Sequence, residues 1–439
     1  MAPLPPYLAL PIAWDTYAAH LDEGSFLWRQ RSRALVGPDY VLDEVAELEG
    51  RLLAHVDALV LGGRKVAARL LVPALDLHDE TGVVEVATLA MLMQEDAPAA
   101  SIESVLQQVL EGDEATCMAL RPALRLIGTE SMKQRLLPLL DSATTPALLT
   151  MSVLDLFAAW RVDPGPVLRT LLTHEEPGIR ASAFRCVRTC PSRLSDESLR
   201  LGLRSSLPEV RNSALEAGLV AGMQLAWHEC RHRVETRDSS PELALYALAI
   251  MGGPTGQASV LNALKDTGLQ RHALRALGLL GTVEAAEAAL ALMRTDELAP
   301  LAAEAFSTVT GWKVAPSEIE PDPQAMSTSR EPAEPSPEDD LPHPDAAQAD
   351  HWWRTQSRRF ERTTRYVLGR PFGQETLLGA LRESSMYRRR PLALALALRT
   401  RGECVLDLDV WVRDQHAQWE TARRLPTTRF LRSLEVLHG

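Results

Sequence analysis

The chain has 439 residues, 46% of them apolar and only 5% aromatic, with a formal net charge of −12. That length exceeds one ordinary core and calls for several domains or one extended array. The Leu- and Ala-rich composition favours helix over sheet, and the acidic balance repels nucleic acid except at a local basic patch.

The start, MAPLPPYLALPIAWDTYAAH, lacks a basic stretch followed by a clean apolar run, so no secretory leader is expected. No uncharged apolar run approaches ~18 residues, which predicts no membrane helix. Five scattered cysteines, an odd number, suit reduced thiols in the cytoplasm. Residues 1–40 read as an irregular lead-in, with Trp14, Tyr17, Phe26 and Trp28 capping the first repeat. Over 43–63, Val45, Leu48, Leu52, Val56 and Leu59 recur at steps of three and four, one apolar stripe on a helix that Gly62 and Gly63 end. Short helices then alternate with breaks at 76–82, 95–99, 111–114, 141–146 and 163–166, the pattern of stacked helical hairpins.

A repeat becomes visible between 160 and 312. HEEPGIRASAFRCVRTC (174–190) and SSLPEVRNSALEAGLVAG (205–222) each carry Pro, an aliphatic residue, Arg, and then small and apolar residues. DTGLQRHALRALGLLG (266–281) repeats the pattern without the Pro, and DELAPLAAEAFSTVTG (296–311) without the Arg. Pro pre-sets φ where a helix begins and needs no donor partner there. Small residues let helices approach, and each unit buries its apolar face only against the next.

In these residues the chain resembles the HEAT-repeat proteins, whose second helix often opens with Pro, an aliphatic residue and Arg. A narrower resemblance covers nearly the whole chain. The segments LEGRLLAHVDALVLGG (48–63), the repeats, WWRTQSRRF (352–360), TRYVLGRPF (364–372) and LLGALRESSMYRRRPLALALAL (377–398) look like an uncharacterised bacterial family whose genes tend to lie near type VI secretion genes. The resemblance implies an all-α, HEAT-like α-solenoid over 41–314, acting as a non-catalytic protein-binding scaffold. Its partner would be another protein, a secretion-system effector or structural component, and its role that of an adaptor, chaperone or immunity protein. It supplies no catalytic residues and implies no cofactor.

Residues 315–350 hold eight Pro and ten Asp or Glu against one Arg, Arg330, and read as a disordered acidic linker. Residues 351–439 hold seventeen Arg against nine Asp or Glu and form a small, mostly helical C-terminal module. Helices are expected over 350–367, 377–381 and 391–398, and one strand over 403–414, where Val405, Asp407 and Asp409 alternate with Leu406, Leu408 and Val410.

Two patterns carry chemistry. His228, Glu229 and His232 match H-E-x-x-H, in which two His on one helix face share Zn²⁺ and Glu activates its water, the signature of a zinc-dependent hydrolase. Arg231 and Arg233 intrude, no G-x-x-H follows, and Glu235 and Glu242 lack context as a third ligand, so the preferred reading is an exposed helix face around a buried Cys230. Cys186 and Cys190 are too widely spaced for a thiolate zinc pair and read as core or helix-end thiols. The Arg-rich stretches 354–370 and 388–390, with Trp352, Trp353 and Tyr366 nearby, would suit a nucleic-acid-binding HEAT-like protein. The preferred reading pairs those Arg with the acidic linker or the acidic array.

Overall fold

The structure, a computed structural model, describes residues 12–77, 80, 82–94, 99–142, 144–238, 240–314 and 336–430. Among them the fold is all-α, apart from an antiparallel pair of two-residue strands, β1 (Tyr366–Val367) and β2 (Arg370–Pro371). The chain divides into two compact units: Met1–Arg33 with Asp43–Leu156, and Ala34–Leu42 with Phe157–Gly439. No helix is long and apolar enough to cross a membrane.

The first unit contains all but the last residue of α1 (Trp14–Ala34), all but the first of α2 (Leu42–Leu61), α3 (Gly63–Val66), a π-helical turn over Ala67–Leu71, α4 (Val72–Ala74), α5 (Val83–Leu92), α6 (Ala99–Glu111), α7 (Glu114–Leu126) and α8 (Glu130–Leu136). Helix α9 (Ala147–Trp160) carries the boundary between the units. The stripe on α2 is buried as its period requires: Val45, Leu48, Leu52, Val56 and Leu59 are all core residues. Of the expected irregular lead-in, residues 1–11 lie outside the described residues, and Trp14–Ala34 form the 21-residue helix α1. Its buried face runs through Leu21, Ser25, Trp28 and Arg31, so polar residues interrupt the apolar period. Glu49 of α2 neutralises Arg31 at 2.8 Å inside the core, and Gly24 allows Val86 to approach to where a Cβ would stand 3.0 Å away.

In the second unit the helices pair as hairpins: α10 (Val167–Leu171) with α11 (Pro177–Val187), α12 (Asp196–Leu203) with α13 (Pro208–Val220), α14 (Gln224–Thr236) with α15 (Glu242–Met251), α16 (Gly253–Ala263) with α17 (Gln270–Leu280), and α18 (Val283–Leu292) with α19 (Ala299–Thr310). The second helices α11, α13, α15, α17 and α19 pack side by side in chain order. On the other side α12 packs on α14 and α14 on α16. Pro177 and Pro208 open their helices as expected. The Arg of the motif has a defined task. Arg180 donates to the carbonyls of His174 and Glu175 at 2.7 and 2.9 Å, and Arg211 does the same to Ser205 and Ser206 at 3.1 and 2.9 Å. Each guanidinium therefore ties the turn between hairpin helices to the second helix. Gly218 sits where a Cβ would meet Ala226 at 2.8 Å and Leu199 at 2.9 Å, so the small residues do permit close helix contact.

Residues 315–335 of the expected linker lie outside the described residues. The remainder differs from the expectation. Residues 336–341 form a turn, and α20 (Ala346–Gln356) begins inside the supposed linker, capped by Asp345, whose carboxylate accepts from Ala347 N and Gln348 N. Helices α21 (Gln374–Glu383), α22 (Met386–Arg399) and α23 (Val412–Arg423) follow. The strand expected over 403–414 is absent, because side chains and not a neighbouring strand satisfy this backbone. Gln415 donates to the carbonyls of Leu408 and Val410 at 2.9 and 3.0 Å, and Gln418 accepts from Asp407 N at 2.8 Å. The apolar side chains Leu408, Val410 and Trp411 are buried without a ladder.

Candidate partner-binding surface

The last carbonyls of an α-helix have no partner within it. Here the C-terminal module supplies partners to three consecutive second helices. Arg365 donates to Ala249 and Ile250 at the end of α15, at 2.6 and 3.0 Å, and to Leu279 and Leu280 at the end of α17, at 2.6 and 2.8 Å. Arg399 adds a second bond to the Ile250 carbonyl at 2.5 Å. Backbone amides continue the series, with Tyr366 N on Gly281 O at 2.7 Å, Leu368 N on Thr308 O at 2.7 Å and Gly369 N on Val309 O at 2.9 Å. A cation at a helix C-terminus also meets the negative end of the dipole. Gly369 can lie so close to α19 because it has φ +73° and no Cβ, which would fall 2.5 Å from Thr310 O.

Burial pushes the Arg365 guanidinium down to about 10, and burial followed by the charge of Arg365 lowers Arg399 as well. Arg365 thus remains cationic at neutral pH. The Phe372 ring lies beneath the two guanidiniums, 5.5 Å from Arg365 and 4.5 Å from Arg399. Helix α22 packs across α13, α15 and α17. The chain thus covers this part of the row of second helices with its own C-terminal module.

A second feature lies on α17. Glu338, in the turn before α20, accepts hydrogen bonds from Arg271 at 3.1 Å, from Arg275, and from the Tyr387 hydroxyl at 3.1 Å. Burial alone would raise the Glu338 carboxyl, but the bonds from Arg275, Tyr387 and Arg271 hold it below the usual carboxylate range. Burial, then the Glu338 charge, raises the Tyr387 phenol. The walls of this pocket have other ties. Arg275 also faces Glu242 at 3.5 Å, Glu242 accepts from the Tyr246 hydroxyl at 2.8 Å, and Arg271 donates to the Glu297 carbonyl at 3.1 Å.

The residues singled out from the sequence fall elsewhere. His228 and His232 stand exposed on α14, Glu229 pairs with Arg233 at 3.0 Å, and Cys230 is buried, its thiol pushed up by desolvation. Glu242 points to Tyr246 and Arg275. Among the described residues no three or more His, Cys, Asp or Glu side chains are gathered as a metal site. Cys186 is buried, and Cys190 lies past the end of α11 with its thiol donating to the Cys186 carbonyl at 3.6 Å.

The Arg-rich stretches are largely engaged within the second unit. Arg388 grips Glu304 of α19 at 2.6 and 2.5 Å, Arg390 meets Asp409 at 2.6 Å, and Arg362 reaches Glu284 and Glu287 of α18, each at 3.0 Å. Arg389 is buried, donating to Leu381 O at 2.6 Å and to Gln415 at 2.7 Å. Trp352 and Trp353 pack edge-on to Phe306, and Phe360 links Trp353 to Tyr366. These rings serve a core. Sequence reasoning missed Arg365, Arg399 and Glu338 as individuals, since one Arg among many and one Glu in an acidic run carry no local signal. No known protein-family profile matches the chain, and no curated protein does.

Proposed function

We propose that this chain is a non-catalytic, HEAT-like α-solenoid protein that binds another protein. The observation that supports it most is the row of hairpins in the second unit, two of which share one Pro-aliphatic-Arg device, as in arrays whose extended faces serve binding. Because α22 covers part of the second-helix row, the partner engages the remaining surface. That surface includes Leu201 and Leu207 of the α12–α13 hairpin, each 46% exposed.

A role beside type VI secretion, as adaptor, chaperone or immunity protein in the cytoplasm, rests on the resemblance of 48–63, the repeats and 352–398 to that bacterial family. An affinity pull-down from the native host with mass spectrometry tests it. A defined secretion effector or structural component is expected; recovery of nucleic acid alone would end the reading. Zinc analysis of the purified protein tests the hydrolase alternative. Wild type and His228→Ala should both lack stoichiometric zinc, and a full equivalent lost in the variant would establish a metal site.

A further inference from the structure

The Glu338 pocket has the form of a recognition site whose occupant happens to belong to the same chain. The turn over 336–341 is organised by itself. Ser336 N donates to the Asp339 carboxylate at 2.8 Å, Asp339 N to Ser336 O at 2.9 Å and Leu341 N to Glu338 O at 3.1 Å. Two side chains anchor it: the Glu338 carboxylate, 10% exposed, and Leu341, 4% exposed. Asp339 and Asp340 between them are exposed. The receiving side is also built without the turn, because Glu242 holds Arg275 and Tyr246, and the Glu297 carbonyl holds Arg271. The Tyr387 backbone is fixed by its amide on Gly37 O at 3.1 Å.

We propose that Arg271, Arg275 and Tyr387 form a binding site for an acidic peptide motif, a Glu followed three residues later by an apolar residue, and that the 336–341 turn occupies it in cis until such a partner displaces it. The fork geometry of two guanidiniums and a phenol suits a carboxylate. In a chain of net charge −12, a local cluster of cations is where an acidic partner can dock. The proposal rests on the protein-binding reading above and gives it a site and a ligand class.

The test uses the full chain and a fluorescein-labelled peptide of sequence SPEDDLPHPD, residues 336–345, read by anisotropy. A tethered segment reaches an effective concentration of about 1 mM, so a site of roughly 10 µM intrinsic affinity is masked about 100-fold in the wild type. The variant Glu338→Ala with Leu341→Ala should bind the peptide about 100-fold more tightly than wild type. Adding Arg271→Ala and Arg275→Ala should abolish that binding. A peptide carrying Gln in place of its Glu should bind at least roughly tenfold more weakly. Glu338→Gln alone, which keeps the turn's shape, should show an intermediate gain and guards against misfolding of the double variant. Equal affinity of wild type and opened variants, or binding indifferent to the loss of both Arg, overturns the proposal. A native partner retained undiminished by the Arg271→Ala, Arg275→Ala chain also overturns it, while leaving the broader protein-binding reading intact.

Discussion

Replacing Arg365 by Ala removes four hydrogen bonds from one guanidinium to the carbonyls of Ala249, Ile250, Leu279 and Leu280. A charge-assisted bond contributes about 1.5 kcal/mol at the low end, so the four together contribute roughly 6 kcal/mol. That figure is already net of desolvating the cation, whose burial lowers its pKa to about 10, and four bonds from one guanidinium do not add in full. The loss expected is therefore about 3–6 kcal/mol, on the order of 10 °C in the melting of the second unit. Calorimetry together with hydrogen exchange checks it, because the loss should appear first at the ends of α15 and α17. Arg365→Lys should recover only a minor part, since an ammonium cannot span two helix ends. A variant within about 0.5 kcal/mol of wild type, the range of an ordinary surface change, would refute the view that this guanidinium ties the C-terminal module to the hairpins.

Gly218→Ala should destabilise the second unit by about 1–3 kcal/mol, because its Cβ would fall 2.8 Å from that of Ala226 and 2.9 Å from Leu199; urea unfolding measures it. The Glu338 carboxyl is held below its ordinary value of 4.5 in the folded chain, so its contribution is present above that pH and is lost as the pH falls through the lower folded value. Wild type should accordingly be more stable than Glu338→Gln at pH 7. The gap between the two melting curves should narrow as the pH falls below 4.5 and close below the lower folded value, and a gap unchanged by acid would contradict the assignment.

The α2 stripe, the proline-opened helices and the acidic-array, basic-module asymmetry were legible in the sequence, because each is written in local period or local composition. Helix α1 was not, since Gly24, Ser25 and Arg31 lie on its buried face and become acceptable only once Val86 and Glu49 are beside them. The alternating run over 403–414 misled for the converse reason: period two needs a neighbouring strand to become a ladder, and Gln415 and Gln418 satisfied that backbone first. The H-E-x-x-H spacing did set His228 and His232 on one helix, yet spacing alone gathers no third ligand.

Sequence therefore determined most of the helices and the small residues by which they stack, because both follow from interactions between residues a few positions apart. Only the tertiary structure decided where the chain closes on itself. Arg365 lies 115 and 116 residues beyond two of the carbonyls it binds, and Glu338 lies 63 residues beyond Arg275. Which of many arginines meets which helix end depends on the path of the folded backbone, and no local pattern encodes that path.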